Sequence, residues 1–215
     1  MRQARWYFDI ISPYAYLALK QFDSLHDELE IEYVPVLFAG LLKHWEHKGP
    51  AEIPAKRVQT YRACVFTARQ LGIPFRMPPA HPFNPLHALR LLCAAPVTRA
   101  RVEAAFDFIW REGRDPGAEW DSFCRALGVA GSEVGHAATS DAAVKQRLID
   151  NTAGAAAAGV YGVPTFALEG PRSTELFWGA DALPMLRAWL ADPALFEEAE
   201  LARVSSLPIG KSRAG

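Results

Sequence analysis

The chain has 215 residues, half of them hydrophobic and 22% charged, with a formal net charge of −1. That length suffices for one large or two small domains with a well-buried core, and the balanced charge provides no field that would select nucleic acid or an anionic membrane. No run approaches the roughly 18 apolar residues of a membrane span. The start, Met1 to Tyr7, passes from polar, charged residues straight into a strand-like run, unlike a signal peptide. Cys64, Cys93 and Cys124 are widely spaced and lie in apolar-periodic segments, a pattern of reduced, buried thiols rather than a disulfide framework or a zinc ribbon. A reducing cytosol is the expected compartment.

Residues 5–10, short and aromatic, read as a buried strand. Ser12-Pro13 follows, with Ser at the N-cap and Pro at the first helical position, and the apolar spacing predicts a helix over 14–26. Residues 31–36 form a second strand, which the usual right-handed crossover makes parallel to the first. Leu41, Leu42 and Trp45 begin a helical block broken at Gly49-Pro50 and resumed over 54–71. A proline-punctuated connector, 72–79, precedes helices over 85–95, 98–110, 119–127, 131–138 and 140–159, the first of them started by Asn84-Pro85. Strands return at 165–168 and 175–178 as an antiparallel hairpin around Gly170-Pro171, and a helix over 181–190 closes the core, with Asp181 as its natural N-cap.

The outline is an α/β, thioredoxin-like layout with a large all-helical insertion. The expected organisation is a sheet domain from residues 1–38 and 150–200, a helical domain over 39–149, and a loose tail over 201–215.

Three features bear chemistry. Ser12 sits where a strand meets a helix, with its hydroxyl among unpaired backbone N–H groups that favour an anion, although Ser-Pro is also an ordinary helix cap. In Val163-Pro164, a cis bond would turn the Val163 carbonyl and N–H out of the sheet towards the first helix, where an extended peptide can dock on them. Asp181 offers a carboxylate for a ligand's ammonium group, or simply a cap. Ala15 stands where a C-x-x-C motif beginning at position 12 would end. Without either thiol the chain cannot shuttle a disulfide there, and a reactive sulfur has to arrive with the ligand. Trp45, Phe83 and Trp178 provide aromatic surfaces suited to a flat substrate, or to ordinary core packing.

The motifs F-D-I-I-S-P-Y-A-Y-L, G-P-A-E-I-P-A-K-R, G-V-Y-G-V-P-T-F and F-W-G-A-D, in this order over roughly residues 5 to 195, resemble the 2-hydroxychromene-2-carboxylate isomerases and the kappa-class glutathione transferases, of the DsbA-like branch of the thioredoxin superfamily. The resemblance implies glutathione as cofactor. Ser12 would face the glutathione sulfur, Val163 before cis Pro164 would pair with the cysteinyl backbone, and Asp181 would hold the γ-glutamyl ammonium. His47 is the nearest match to a loop Asn or Gln that contacts glutathione. Lys56, Arg57 and Asn84 are the candidates for the carboxylate of a small aromatic substrate. Ala180 stands where the family commonly has Asn, which removes one polar contact. The resemblance further implies a homodimer and, as activity, isomerisation by reversible thiol addition in aromatic catabolism. A kappa-like transferase or peroxidase and a non-catalytic thioredoxin-like binding module are the alternatives.

Overall fold

The structure is a computed structural model and describes residues 1–25 and 28–210. Its sheet has four strands in the order β2-β1-β3-β4. Strand β1 (Arg2–Phe8) runs parallel to β2 (Leu29–Pro35) and antiparallel to β3 (Thr165–Glu169), and β3 forms a hairpin with β4 (Thr174–Trp178). The two ends of the chain therefore build one sheet.

Strand β1 is central, and its second half, Trp6–Phe8, is buried on both faces and wholly aromatic for that reason, while Arg2, Gln3 and Arg5 at its start stay exposed. Trp6 and Phe8 point to one face, fully buried and stacked at 4.8 Å. There they meet Phe22, Phe106 and Phe166. Tyr7 points to the other face and packs with Val34, Val36, Leu41 and Val160. Truncation of Trp6 to Ala would cost about 3–5 kcal/mol.

Helix α1 (Pro13–Leu19) follows β1, and α2 (Phe38–His44) follows β2. The helical block then comprises α3 (Pro54–Gln70), α4 (Leu86–Cys93), α5 (Arg99–Phe106), α6 (Trp120–Ala126), α7 (Ser132–Ser140) and α8 (Ala142–Ala157). Helix α8 starts on Asp141, whose carboxylate accepts from the Ala143 and Val144 N–H groups, and it returns to the sheet, where Asn151 Nδ2 donates to the Pro35 carbonyl at 3.0 Å. After β4 come α9 (Leu183–Ala191) and α10 (Ala199–Val204). No helix of the described residues is long and apolar enough to cross a membrane.

Four local expectations change. The first strand lies at 2–8 rather than 5–10: pairing begins at Arg2↔Leu29, and after Phe8 the Asp9 side chain takes over local N–H groups and ends the ladder. The first helix ends at Leu19, where Gln21 N–H turns back to the Ala18 carbonyl and a short 3-10 turn, Phe22–Leu25, carries the predicted core residues Phe22 and Leu25; its predicted end at His26 lies outside the described residues. The helix over 98–110 gives way to a π turn at Asp107–Arg111, closed by Glu112 N–H on the Asp107 carbonyl. The expected tail is helical through Val204.

Candidate functional site

At the end of β1 the chain makes a tight turn into α1. Ser12 is the N-cap in extended conformation, and its Oγ accepts from the Ala15 N–H at 3.2 Å. The same hydroxyl donates to the Val163 carbonyl at 3.4 Å. Ser12 is only 7% exposed. Helix α1 has 7 residues, not the three to four turns expected, so its macrodipole is smaller and the hydroxyl and nearby backbone dominate the local chemistry.

The Val163–Pro164 bond is cis. Val163 lies in the loop before β3, almost buried, and among the described residues its N–H meets no acceptor. Val163 thus offers a free donor beside an acceptor, the pairing surface of a strand edge. The Gly179 N–H donates to the Pro164 carbonyl at 2.9 Å, which ties the turn after β4 to the same place. Gly179 enters that turn at φ 99°, a conformation suited to glycine.

Asp181, two residues on, sits exposed in a 3-10 turn, Ala180–Ala182. It does not cap α9, whose start at Ala182 has no side-chain cap. The expected cap fails because the 3-10 turn interposes itself and leaves the carboxylate in solvent. Between this turn and α3 stands Tyr14, whose phenol is pushed up to about 12 by burial, with neighbouring Cys64 and the charge of Asp181 adding to it.

Ser12, Val163, Pro164 and Asp181 are therefore assembled by the end of the sheet. The other candidates lie on the helical block. His47 is exposed after α2, with Nδ1 3.4 Å from the Lys48 carbonyl, at the rim of a shallow hollow of about 430 Å³ that Lys43, Glu46 and Glu52 also line. Lys56 and Arg57 are exposed in the first turns of α3. Asn84 is exposed, and its Oδ1 accepts from the Leu86 N–H at 3.0 Å, so it helps to start α4. Among the described residues these four make no hydrogen bond or ion pair with the Ser12 group.

Aromatic side chains flank the Val163 loop. Trp45 Nε1 donates to the Val160 carbonyl at 2.9 Å, and the Tyr161 and Trp178 rings meet at 5.0 Å. Gly162 is required beneath Trp178, because an added Cβ would lie 2.4 Å from Nε1. Phe83 packs beside His81.

Sequence reasoning missed two groups. Asp9 is fully buried, and its two carboxylate oxygens accept from the Ile11 N–H at 3.0 Å and the Phe38 N–H at 2.9 Å. Burial raises it from 3.8 to about 7 against the opposing pull of those hydrogen bonds. A lone acid in the apolar run W-Y-F-D-I-I was the available signal. The second group is the His81–Tyr61 pair, 2.7 Å apart, with His81 Nε2 2.8 Å from the Ile11 carbonyl. Nothing in local spacing announces a contact between residues so distant in the chain. The three cysteines are buried as expected, with burial pushing Cys64 up to about 12 and Cys93 up to about 11.

Among curated proteins the chain is similar to glutathione S-transferase kappa 2 of Caenorhabditis elegans, at 27% identity over 88% of this chain and 92% of that one. It is also similar to a 2-hydroxychromene-2-carboxylate isomerase of Pseudomonas putida, at 28% identity over 85% of this chain and 91% of that one. Among solved structures, a 2-hydroxychromene-2-carboxylate isomerase superposes with a TM-score of 0.76 at 24% identity, covering 93% of this chain and 98% of that one. The model of the DSBA-like thioredoxin domain matches residues 5–191, which takes in three of the four sheet strands whole, most of β1 and the entire helical block, and the chain belongs to that family.

Proposed function

We propose that this protein is a glutathione-dependent isomerase acting on a small, conjugated aromatic carboxylate of the 2-hydroxychromene-2-carboxylate type. The observation that carries the reading is the pairing of the Ser12 hydroxyl with the Val163 carbonyl, next to a Val163 N–H that has no other acceptor. That arrangement fits the cysteinyl part of glutathione: the carbonyl and N–H pair with its backbone, and the hydroxyl is left to face its sulfur. Glutathione, when bound, supplies a thiolate that adds to and later leaves a conjugated carbon, which permits rotation about a bond otherwise double.

The chain's own residues orient and stabilise. Ser12 turns its hydroxyl from Val163 to the sulfur, and donation to sulfur favours thiolate over thiol. Val163 and Pro164 fix the direction of the peptide, so the sulfur is presented at one place. Asp181, exposed and free of any capping duty, pairs with the ligand's ammonium. Lys56 and Arg57, exposed on α3, offer cationic charge for the substrate carboxylate, with the Asn84 amide nitrogen as an added donor, and His47 is the candidate for a further contact to glutathione. Trp45, Tyr161 and Trp178 provide flat apolar surface beside the Val163 loop.

A kappa-type transferase is the second reading, favoured by the 27% identity to the C. elegans protein over nearly the whole of both chains. It shares the thiol end and differs in consuming glutathione. The deciding experiment is calorimetric titration of the protein with reduced glutathione while the ultraviolet thiolate band is followed. Binding with a rising thiolate signal at neutral pH is expected. Turnover of the chromene carboxylate without loss of glutathione then selects the isomerase, and stoichiometric loss of glutathione selects the transferase. No binding at millimolar glutathione removes both.

A further inference from the structure

The turn that delivers Ser12 is held from outside the sheet. Ile10 and Ile11 lie between the last ladder pair, Phe8↔Pro35, and the first residue of α1. Neither strand nor helix uses their carbonyls, so side chains do. Trp110 Nε1 donates to the Ile10 carbonyl at 2.9 Å, and His81 Nε2 lies 2.8 Å from the Ile11 carbonyl. Both side chains belong to the helical block.

The Ile11 carbonyl and the Ser12 N–H are two ends of one planar peptide unit. His81 holds the first, and the Asp9 carbonyl accepts from the second at 3.0 Å. With both ends held, rotation of the plane is resisted, and the Ser12 Cα that carries the hydroxyl is fixed from its N-terminal side. A carbonyl only accepts, so Nε2 carries a proton in either charge state of the ring. Nδ1 lies 2.7 Å from the Tyr61 hydroxyl, which is also 2.7 Å from the His81 carbonyl, so Tyr61 fixes the ring's rotation from α3. The imidazole meets Trp110 in an edge-to-face contact, with centroids 5.4 Å apart and ring planes at 63°.

We infer that His81, oriented by Tyr61, is a positioning residue that sets the Ser12 hydroxyl through the Ile11–Ser12 peptide, so that the helical block tunes thiol activation at the end of the sheet. The inference rests on the reading of Ser12 as the group facing the glutathione sulfur, and it adds a role for the insertion that this reading does not contain.

The test compares the full-length protein with His81→Ala, His81→Gln and Tyr61→Phe, using reduced glutathione as probe and reading the bound thiolate fraction against pH. His81→Ala should lower the thiolate fraction at neutral pH about tenfold, the scale of a weakened hydrogen bond to a charged group. It should also speed amide exchange at Ser12. His81→Gln, whose amide can donate to the Ile11 carbonyl, should recover most of the signal, and Tyr61→Phe should fall between. Should His81→Ala fail to fold, the Gln and Tyr61→Phe variants decide alone. Wild-type thiolate formation in His81→Ala, or no recovery in His81→Gln, would overturn the inference while leaving the glutathione reading in place. A wild-type protein that itself forms no bound thiolate would overturn both.

Discussion

The Ser12 hydroxyl reaches the carbonyl of Val163, 151 residues away in sequence, at 3.4 Å. That contact joins the first strand-to-helix turn to the loop before β3. It is long for a hydroxyl bond and thus readily exchanged for a better partner. Ser12→Ala removes the cap to Ala15 and, in the proposed reaction, the donor to an incoming sulfur. Thiol-dependent turnover should fall by about 10²-fold or more, as for loss of one oxyanion donor. Stability should fall by about 1 kcal/mol, as for loss of an N-cap. Steady-state kinetics with urea unfolding separates the two, and a near wild-type rate would remove Ser12 from the mechanism.

Asp181 gives a sharper contrast, because a cap and a ligand contact predict opposite outcomes. It is exposed and caps nothing, so Asp181→Ala should change stability by less than about 0.5 kcal/mol. Glutathione affinity should weaken about tenfold, the scale of one charged hydrogen bond. Calorimetry and thermal melts on the same sample check both. Lost stability with unchanged affinity would return Asp181 to a structural role.

Asp9 should make stability depend on pH. Burial raises its folded value from 3.8 to about 7, so between those limits the native protein holds a proton that the unfolded chain releases. Its contribution is therefore full below 3.8, declines as pH rises to about 7, and is flat above. The interval corresponds to at most roughly 4 kcal/mol. Asp9→Asn cannot accept both N–H bonds and should cost about 1–3 kcal/mol. The advantage of wild type over Asp9→Asn should shrink as pH rises through this range in urea unfolding series. A constant difference would mean that Asp9 titrates normally in the fold.

The cysteines should be silent. Each is buried, and burial raises the thiol pKa of all three, Cys64 furthest. An aromatic disulfide reagent should leave the native protein unlabelled and titrate three thiols after denaturation. Cys64→Ser should keep its thiol-dependent activity, since a hydroxyl can take over the contact with Tyr14. Rapid labelling of native protein would contradict the burial.

The sequence alone determined what depends on neighbours in the chain. Alternation and aromatic runs marked all four strands, and the parallel pairing of the first two followed from the crossover between them. Ser-Pro, Val-Pro and Phe-Trp-Gly-Ala-Asp marked turns that the fold gathers at one end of the sheet, because caps and turns are local chemistry. Helix ends were less legible: α1 stops at Leu19 and Asp181 leaves α9 uncapped, since 3-10 turns answer to packing as much as to residue type. Only the tertiary structure decided how Asp9 ionises and what holds the Ser12 turn. A pKa is set by burial on every side, and the Ile11 carbonyl finds its partner in His81, 70 residues away, through a fold that no local pattern encodes.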